Sequence, residues 1–410
     1  MKVGLQWAFS DAHLPTNQPN SQRQLSVSVS AEGAGESAPL NLCFVLDRSG
    51  SMMGEPLKTV KEAANRIIDR LSERDRISII AFDHKAETLV PNQIATDIDG
   101  IKRRINSLQA GGGTCIDDAL KAGIEQLAQG KDDRVSQLLL LTDGENEHGD
   151  NARALKLAHV ATGYNLTINA MGFGDHWNQD VMEQIADEGA GSLSYIEHAE
   201  EAIAIFGRLF TRMQSVGLTN AYLNIELADG TRLADLKPVA QVSPETVELA
   251  AIQEGHQAMI RIGDLMKEQP RVILLNLYIP ERPVGSSTIG HMHVTYDDPG
   301  LGAVAQRTEA IPIEIAVQEA YTPDVNDGVQ QNILALAKYR QTQIAETKLE
   351  AGDRKGAVTM LQSAAKTAIQ MGDKSAATVL QRNATQLQAG KDLTERDRKK
   401  TRIVSKTQLQ

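Results

Sequence analysis

The chain has 410 residues, 41% of them hydrophobic, 23% charged and 4% aromatic, with 42 Lys and Arg against 53 Asp and Glu for a formal net charge of −11. Such a chain can pack an aliphatic core, so global disorder is excluded, and its acidic balance lacks the basic footprint of a general nucleic-acid binder. No run of 18 apolar residues is present to span a membrane, no leader is read in MKVGLQWAFSDAH, and two cysteines are too few for a disulfide scaffold, so a reducing, cytoplasmic setting is expected.

In chain order, Leu25, Val27 and Val29 alternate with Ser26, Ser28 and Ser30, the period of a half-buried strand, and the small polar stretch Ser30–Pro39 reads as a linker. From Leu40 the texture changes. The continuous apolar run Leu40–Leu46 suits a strand buried on both faces. Pro56 then opens a helical pattern through Leu57, Val60, Ala64, Ile67, Ile68 and Leu71. Further strands are predicted at Arg76–Phe82, Leu89–Pro91, Gln137–Glu145, Leu166–Gly174 and Ser192–Ile196. Helices are predicted at Ile101–Leu108, Ile116–Leu127, Ala152–Val160, Val181–Glu188 and Ala199–Met213. Strands alternating with helices at crossover spacing imply a mostly parallel, doubly wound sheet.

After Gly217 the segments AYLNIEL, TVELAAI, QAMIRIG, RVILLNLYI, HMHVTY and EAIPIEIAV are strand-like and separated by turn residues, the pattern of an antiparallel sandwich. The N-terminal alternating segment is of the same kind, so the α/β unit reads as an insertion into that sandwich. From Val325 to about Gln388 the chain is helical. Gly352-Asp353 and Gly372-Asp373 each precede a helical run, with Ala357, Ala364, Ala365 and Ala368 on one face, as in a helical hairpin. The last 20 residues hold seven Lys and Arg and three Asp and Glu and read as a disordered basic tail. The expected domains are therefore 1–39, an N-terminal β segment and linker; 40–216, the α/β domain; 217–322, the sandwich; 323–390, the helices; and 391–410, the tail.

The residues that carry chemistry lie where buried strands end. Asp47, Ser49 and Ser51 follow the first α/β strand at i, i+2 and i+4, Thr114 follows three glycines, and Asp143 ends the LLLLT strand. In an open parallel sheet, ligands bind beyond the carboxyl ends of the strands. Hydroxyls and carboxylates are hard oxygen donors that suit Mg²⁺, Mn²⁺ or Ca²⁺ and not zinc.

In order and spacing, LDRSGSM, GGGTCIDDAL and LLLLTDGEN resemble the three metal-site loops of von Willebrand factor type A domains, over about Leu40–Met213. The resemblance implies a Rossmann-like fold with a metal-ion-dependent adhesion site at Asp47, Ser49, Ser51, Thr114 and Asp143. It implies direct metal contact from the two serines, contact from Thr114 directly or through water, and action largely through water for the two aspartates. A free coordination position would then receive an Asp or Glu from a protein partner, with Mg²⁺ as the cofactor and Mn²⁺ or Ca²⁺ as alternatives. A vestigial site, with Asp47 and Ser49 only capping the next helix, is the plainer alternative. The insertion of this domain into β structure is similar to bacterial type A proteins, distantly like calcium-activated chloride channel regulators and inter-alpha-trypsin inhibitor heavy chains.

The expected function is thus a non-enzymatic, metal-dependent binding or assembly module. One alternative is a metal-assisted hydrolase, although the chain has no Walker loop or Gly-x-Ser-x-Gly elbow. Another is an accessory of an ATPase machine, as type A domains are in magnesium chelatase. Trp177 is either a rim anchor for a partner or a packing residue. Glu145, Asn146, Glu147 and His148 either shape selectivity or form a solvated loop. His291 and His293 share a strand face without a visible third ligand. Cys43, about 13 Å along the strand from Asp47, and Cys115 read as small buried hydrophobes. Thr401, among basic residues, could offer a kinase target and a phosphothreonine for an Arg-lined reader; the alternative is a solubilising tail.

Overall fold

The computed structural model describes residues 1–33, 38–131 and 133–406; the part of the expected linker at 34–37 and the last four residues of the expected tail lie outside it. The chain forms two compact units. One comprises 33–220 with Met1 and 297–306, and the other comprises 2–32, 221–296 and 307–410.

The first unit is a doubly wound α/β domain. Its six-stranded sheet runs in the spatial order Ala86–Ile94, Arg76–Phe82, Leu40–Asp47, Val135–Thr142, Leu166–Phe173 and Ala190–Ile196. Pairing is parallel except at the edge, where Ala86–Ile94 runs antiparallel to Arg76–Phe82. That edge strand is three times the length expected from Leu89–Pro91. Its polar, partly exposed residues carry no buried-strand texture.

The central strands Leu40–Asp47, Val135–Thr142 and Leu166–Phe173 are buried at every residue. Successive side chains of a strand serve opposite faces. Cys43 and Val45 pack with Leu138, Leu140, Ile168 and Ala170 against helices Ile116–Gln129, Asn151–Gly163 and Gln179–Glu188. Helices Glu55–Ile68 and Ala199–Gln214 pack on each other and bury Val60, Ile67, Phe206 and Phe210. The chain leaves Leu40–Asp47 for Arg76–Phe82 on one side and returns on the other at Val135–Thr142. The carboxyl ends of Leu40–Asp47 and Val135–Thr142 therefore flank the topological switch point, where such sheets place ligands.

The second unit contains most of the sandwich, two of whose strands, Val216–Leu227 and Gly285–Asp298, begin or end in residues of the first. One sheet runs Lys2–Phe9, Asn20–Glu32, Arg271–Pro280, Val239–Ser243 and Val247–Glu248. The other runs Ala251–Glu254, Gln257–Met266, Val216–Leu227, Gly285–Asp298, Ile311–Gln318 and His13–Pro15. Leu25, Val27 and Val29 are fully buried, and Asn20–Glu32 pairs antiparallel with Arg271–Pro280. The segment predicted as one strand, TVELAAI, is two short strands in different sheets.

Helices Asp327–Glu350, Arg354–Gln370, Lys374–Gln388 and Glu395–Lys406 complete this unit. Asp353 and Asp373 cap the second and third by accepting from Gly356 N–H (2.8 Å) and Ala376 N–H (2.9 Å). Val329, Leu336 and Tyr339 pack on Ala240, Val242 and Leu274. The fourth helix corrects the expectation of a disordered tail for the described residues up to 406. Lys399, Thr401, Ser405 and Lys406 are buried there, and Arg402 is paired with Glu346 at 2.8 Å. Thr401 is 3% exposed; its hydroxyl accepts from Asn383 Nδ2 (2.6 Å) and donates to the Asp397 carbonyl (2.8 Å). A kinase could not reach it in this fold, so the reading of Thr401 as a modification site is withdrawn. No helix among the described residues is long and apolar enough to cross a membrane.

Candidate functional site

The five residues singled out by sequence converge beyond the carboxyl edge of the parallel sheet. Asp47 is wholly buried at the end of its strand and is fixed from both sides. Its Oδ1 accepts from Ser49 N–H (2.7 Å) and its Oδ2 from the Thr142 hydroxyl (2.5 Å), the residue beside it on the neighbouring strand. The hydroxyls of Ser49 and Ser51 share a hydrogen bond of 3.0 Å, and Ser51 Oγ donates to Asp143 Oδ1 at 2.7 Å. Ser49 Oγ lies 3.5 Å from the same carboxylate oxygen. Thr114 is 3% exposed. Its Oγ1 lies 3.2 Å, and Ser51 Oγ 4.0 Å, from the point where a side chain on Gly144 would begin. A side chain at position 144 would therefore crowd the Thr114 hydroxyl, and glycine lets this loop lie close against it.

Main-chain hydrogen bonds lace the loops that carry these groups. Gly50 N–H donates to Gly112 O (2.9 Å), Gly111 N–H to Arg48 O (2.8 Å), and Cys115 N–H to Asp83 O (2.8 Å). Gly112 sits at φ +86°, with His84 Nδ1 2.8 Å from its missing Cβ, so both backbone and space require glycine there. The short 3₁₀ turn Gly50–Met52 is anchored by the fully buried Met52, which presents Ser49 and Ser51 to the cluster.

Two carboxylates buried side by side are uncomfortable as anions. Burial pushes the Asp47 carboxyl up to about 6, against the hydrogen bonds from Thr142 and Ser49 that oppose the shift, and the Asp143 charge adds to it. Burial raises Asp143 as well, opposed by the two serine hydroxyls. A cation among these oxygens would reverse both shifts. Among the described residues no group of three or more His, Cys, Asp and Glu is placed to hold a metal, so the donor set here is one of hydroxyls plus two carboxylates. That set fits a hard divalent cation by its chemistry.

A pH dependence follows for the metal-free protein. The folded Asp47 keeps a proton that the unfolded chain releases near the ordinary carboxylate value of 3.8. Its contribution therefore favours folding at low pH and is lost as pH rises from about 4 to 6, by up to about 3 kcal/mol. Urea denaturation in chelator at pH 5 and pH 7 is expected to show this slope in the wild type and a weaker one in Asp47→Asn. An identical slope in both would remove Asp47 as its source.

The remaining sequence candidates separate. Trp177 is 2% exposed, donates from Nε1 to Gly174 O (2.7 Å) and tilts against Tyr195 at 5.8 Å, so it packs and is not a partner anchor. His291 is exposed, and the pKa of His293 is lowered by burial and, secondarily, by Arg307, whose Nη2 lies 3.5 Å from its Nδ1. Cys43 and Cys115 are both free and buried, with thiols pushed up to about 12 and about 11, mainly by burial. The segment Glu145–His148 is more than a solvated loop. Asn146 accepts from Ile116 N–H (2.7 Å), and His148 N–H donates to Thr114 O (3.0 Å). Asp117, 2% exposed, accepts from Asp150 N–H and pairs with Arg153 at 2.7 Å. Sequence reading passed over Thr142, Asp117 and Arg153. Only the TDG neighbourhood hinted at Thr142, and an acid in a first helical turn ordinarily signals no more than a favourable helix dipole.

Residues 41–207 match the von Willebrand factor type A domain family, and residues 327–410 match the family described as Sll0103-like, C-terminal alpha-helical domain. The uncharacterized protein sll0103 of Synechocystis sp. is 56% identical over 412 residues, covering all of this chain and 98% of that protein. Inter-alpha-trypsin inhibitor heavy chain H4 of Bos taurus is 30% identical over 164 residues, spanning 37% of this chain and 18% of that much longer protein. The solved structure of a von Willebrand factor type A protein from Catenulispora acidiphila superposes with a TM-score of 0.82 over 99% of this chain and 97% of that one, at 18% identity. The ArnB paralog VWA2 from Sulfolobus acidocaldarius gives 0.61 over 98% of both chains at 16% identity. At these identities the structural likeness speaks of fold alone.

Proposed function

Because the chain belongs to the Sll0103-like proteins built around a von Willebrand factor type A domain, we propose that it is a non-catalytic binding protein. It captures an acidic side chain of a protein partner with the help of a divalent cation, Mg²⁺ first and Mn²⁺ or Ca²⁺ as alternatives. Asp47, Ser49, Ser51, Thr114 and Asp143 would hold the ion.

The observation that carries this reading is the clustering of the Ser49 and Ser51 hydroxyls with the two buried, anion-averse carboxylates of Asp47 and Asp143, with the Thr114 hydroxyl beside Ser51 where both face Gly144. The bound cation supplies a positive charge that an incoming carboxylate can satisfy. Each residue has a part in keeping that charge available. Ser49, Ser51 and Thr114 are neutral donors and cancel none of it. Asp47 holds Ser49 and Thr142 in place through both oxygens, and Asp143 orients the Ser51 hydroxyl. Mg²⁺ suits so sparse a donor set because it keeps several of its waters.

The test is capture of partners on wild-type and Asp47→Ala baits, each in Mg²⁺ and in EDTA. A partner held only by wild type in Mg²⁺, and released when its own ligating Asp or Glu is changed to Asn or Gln, is the expected result. Partners indifferent to EDTA and to the bait would overturn the reading.

A further inference from the structure

We infer that Asn146 is the positioning residue that sets the separation of Thr114 from Asp143, a role that rests on the metal-binding reading above. These two candidate ligands come from loops 29 residues apart in sequence. The strand register fixes Asp143 relative to Asp47 and the serines, because Leu46 and Leu141 are paired neighbours. Thr114 has no such strand; it precedes helix Ile116–Gln129, whose first residues would otherwise carry unsatisfied N–H groups.

Asn146 meets that need from the other loop. It lies three residues after Asp143, and its Oδ1 takes the N–H of Ile116, two residues after Thr114, at 2.7 Å. Cys115, at the cap position of that helix, supplies no side-chain cap of its own. The Asn146 amide is itself held, because its Nδ2 donates to Asn151 Oδ1 (3.1 Å) at the start of the next helix. The main chain adds a second tie, His148 N–H to Thr114 O at 3.0 Å.

The knot is tight. A Cβ on Gly149 would lie 2.0 Å from Asp117 Oδ1 and 2.2 Å from Asn146 Oδ1, so both acceptors crowd the space that this glycine leaves empty. Asp117 takes the Asp150 N–H (3.1 Å) on the same side. The Thr114 loop and the Asp143 loop are thus joined as one piece. Groups that orient ligands without touching the metal commonly change its affinity by ten- to a hundredfold.

The experiment titrates Mg²⁺ calorimetrically into the full chain as wild type, Asn146→Ala and Asn146→Asp, and records each metal-free melting curve. Aspartate keeps the acceptor for Ile116 N–H; alanine does not. Asn146→Ala is expected to weaken Mg²⁺ binding by about tenfold or more while its metal-free melting point stays within about 5 °C of wild type. Asn146→Asp is expected to return to within about threefold of wild-type affinity. Wild-type affinity in Asn146→Ala would overturn the inference alone. Binding left unrestored in Asn146→Asp would also overturn it, and a large metal-free melting loss in both variants would reassign the residue to folding. A wild type that takes up no Mg²⁺ would overturn the metal reading and this inference together.

Discussion

Asp143→Ala is expected to lose the response to Mg²⁺ while leaving the metal-free protein about as stable as wild type. An ion that binds only the folded state at a hundred times its Kd stabilises that state by about 2.7 kcal/mol. In a chain of this size that is a rise of a few degrees in Tm. The wild type should show the rise in Mg²⁺ and lose it in EDTA. In the variant the Ser51 hydroxyl loses its 2.7 Å acceptor, yet it keeps Ser49 as a partner at 3.0 Å. The change also removes a buried carboxyl that burial pushes above its usual range. These effects oppose each other and should leave metal-free stability within about 1 kcal/mol. An ordinary destabilising mutation would lower both melting points in parallel. Paired scans with and without Mg²⁺ therefore separate a ligand from a packing residue, and an undiminished Mg²⁺ shift in the variant would exclude Asp143 from the site.

The α/β domain and the clustering of the candidate site residues were legible because the signals are local and redundant. Leu40–Leu46 and the LLLLT run announce strands buried on both faces, and the groups that follow them emerge at the sheet's carboxyl edge. That placement brings Asp47, Ser49, Ser51 and Asp143 together, while Thr114 is brought in by the glycine turn before its helix. Side chains that act through a partner distant in sequence were not legible. Asn146 looks like one polar residue in a polar loop, and its value lies in the N–H of Ile116, 30 residues earlier. Trp177, just after a strand that ends at the candidate rim, gives no sign in sequence of whether it faces solvent or folds over a neighbouring strand. The largest misreading, the basic tail, has the same cause. Composition counts charges, whereas Arg402 with Glu346 and Thr401 with Asn383 are satisfied across helices. A helix of mostly polar residues can be docked by pairing as well as by apolar burial.

That docking underlies the second large effect, at Lys338. Its side chain is 1% exposed, and its Nζ donates to Asp373 Oδ2 at 3.0 Å and to the Val404 carbonyl at 2.8 Å. Burial lowers the lysine pKa, and the Asp373 carboxylate opposes the shift. One ammonium thus joins three of the C-terminal helices: its own, the one that Asp373 caps through Ala376 N–H, and the last, near whose end Val404 lies. Lys338→Met keeps much of the volume but strands a buried carboxylate and a carbonyl. Breaking a buried pair in this way costs about 3–5 kcal/mol, far more than the pair contributes over an apolar replacement. Adding Asp373→Asn, which removes the stranded charge and retains the capping oxygen, is expected to recover much of the loss, so the two changes should be strongly non-additive. The last helix has 12 residues, too few to hold without its contacts. In Lys338→Met, trypsin should therefore cut within Arg396–Lys406 under conditions where the wild type resists. A double-mutant cycle that is simply additive, or a Lys338→Met variant within about 1 kcal/mol of wild type, would show that the last helix is held by its other contacts and not through this lysine.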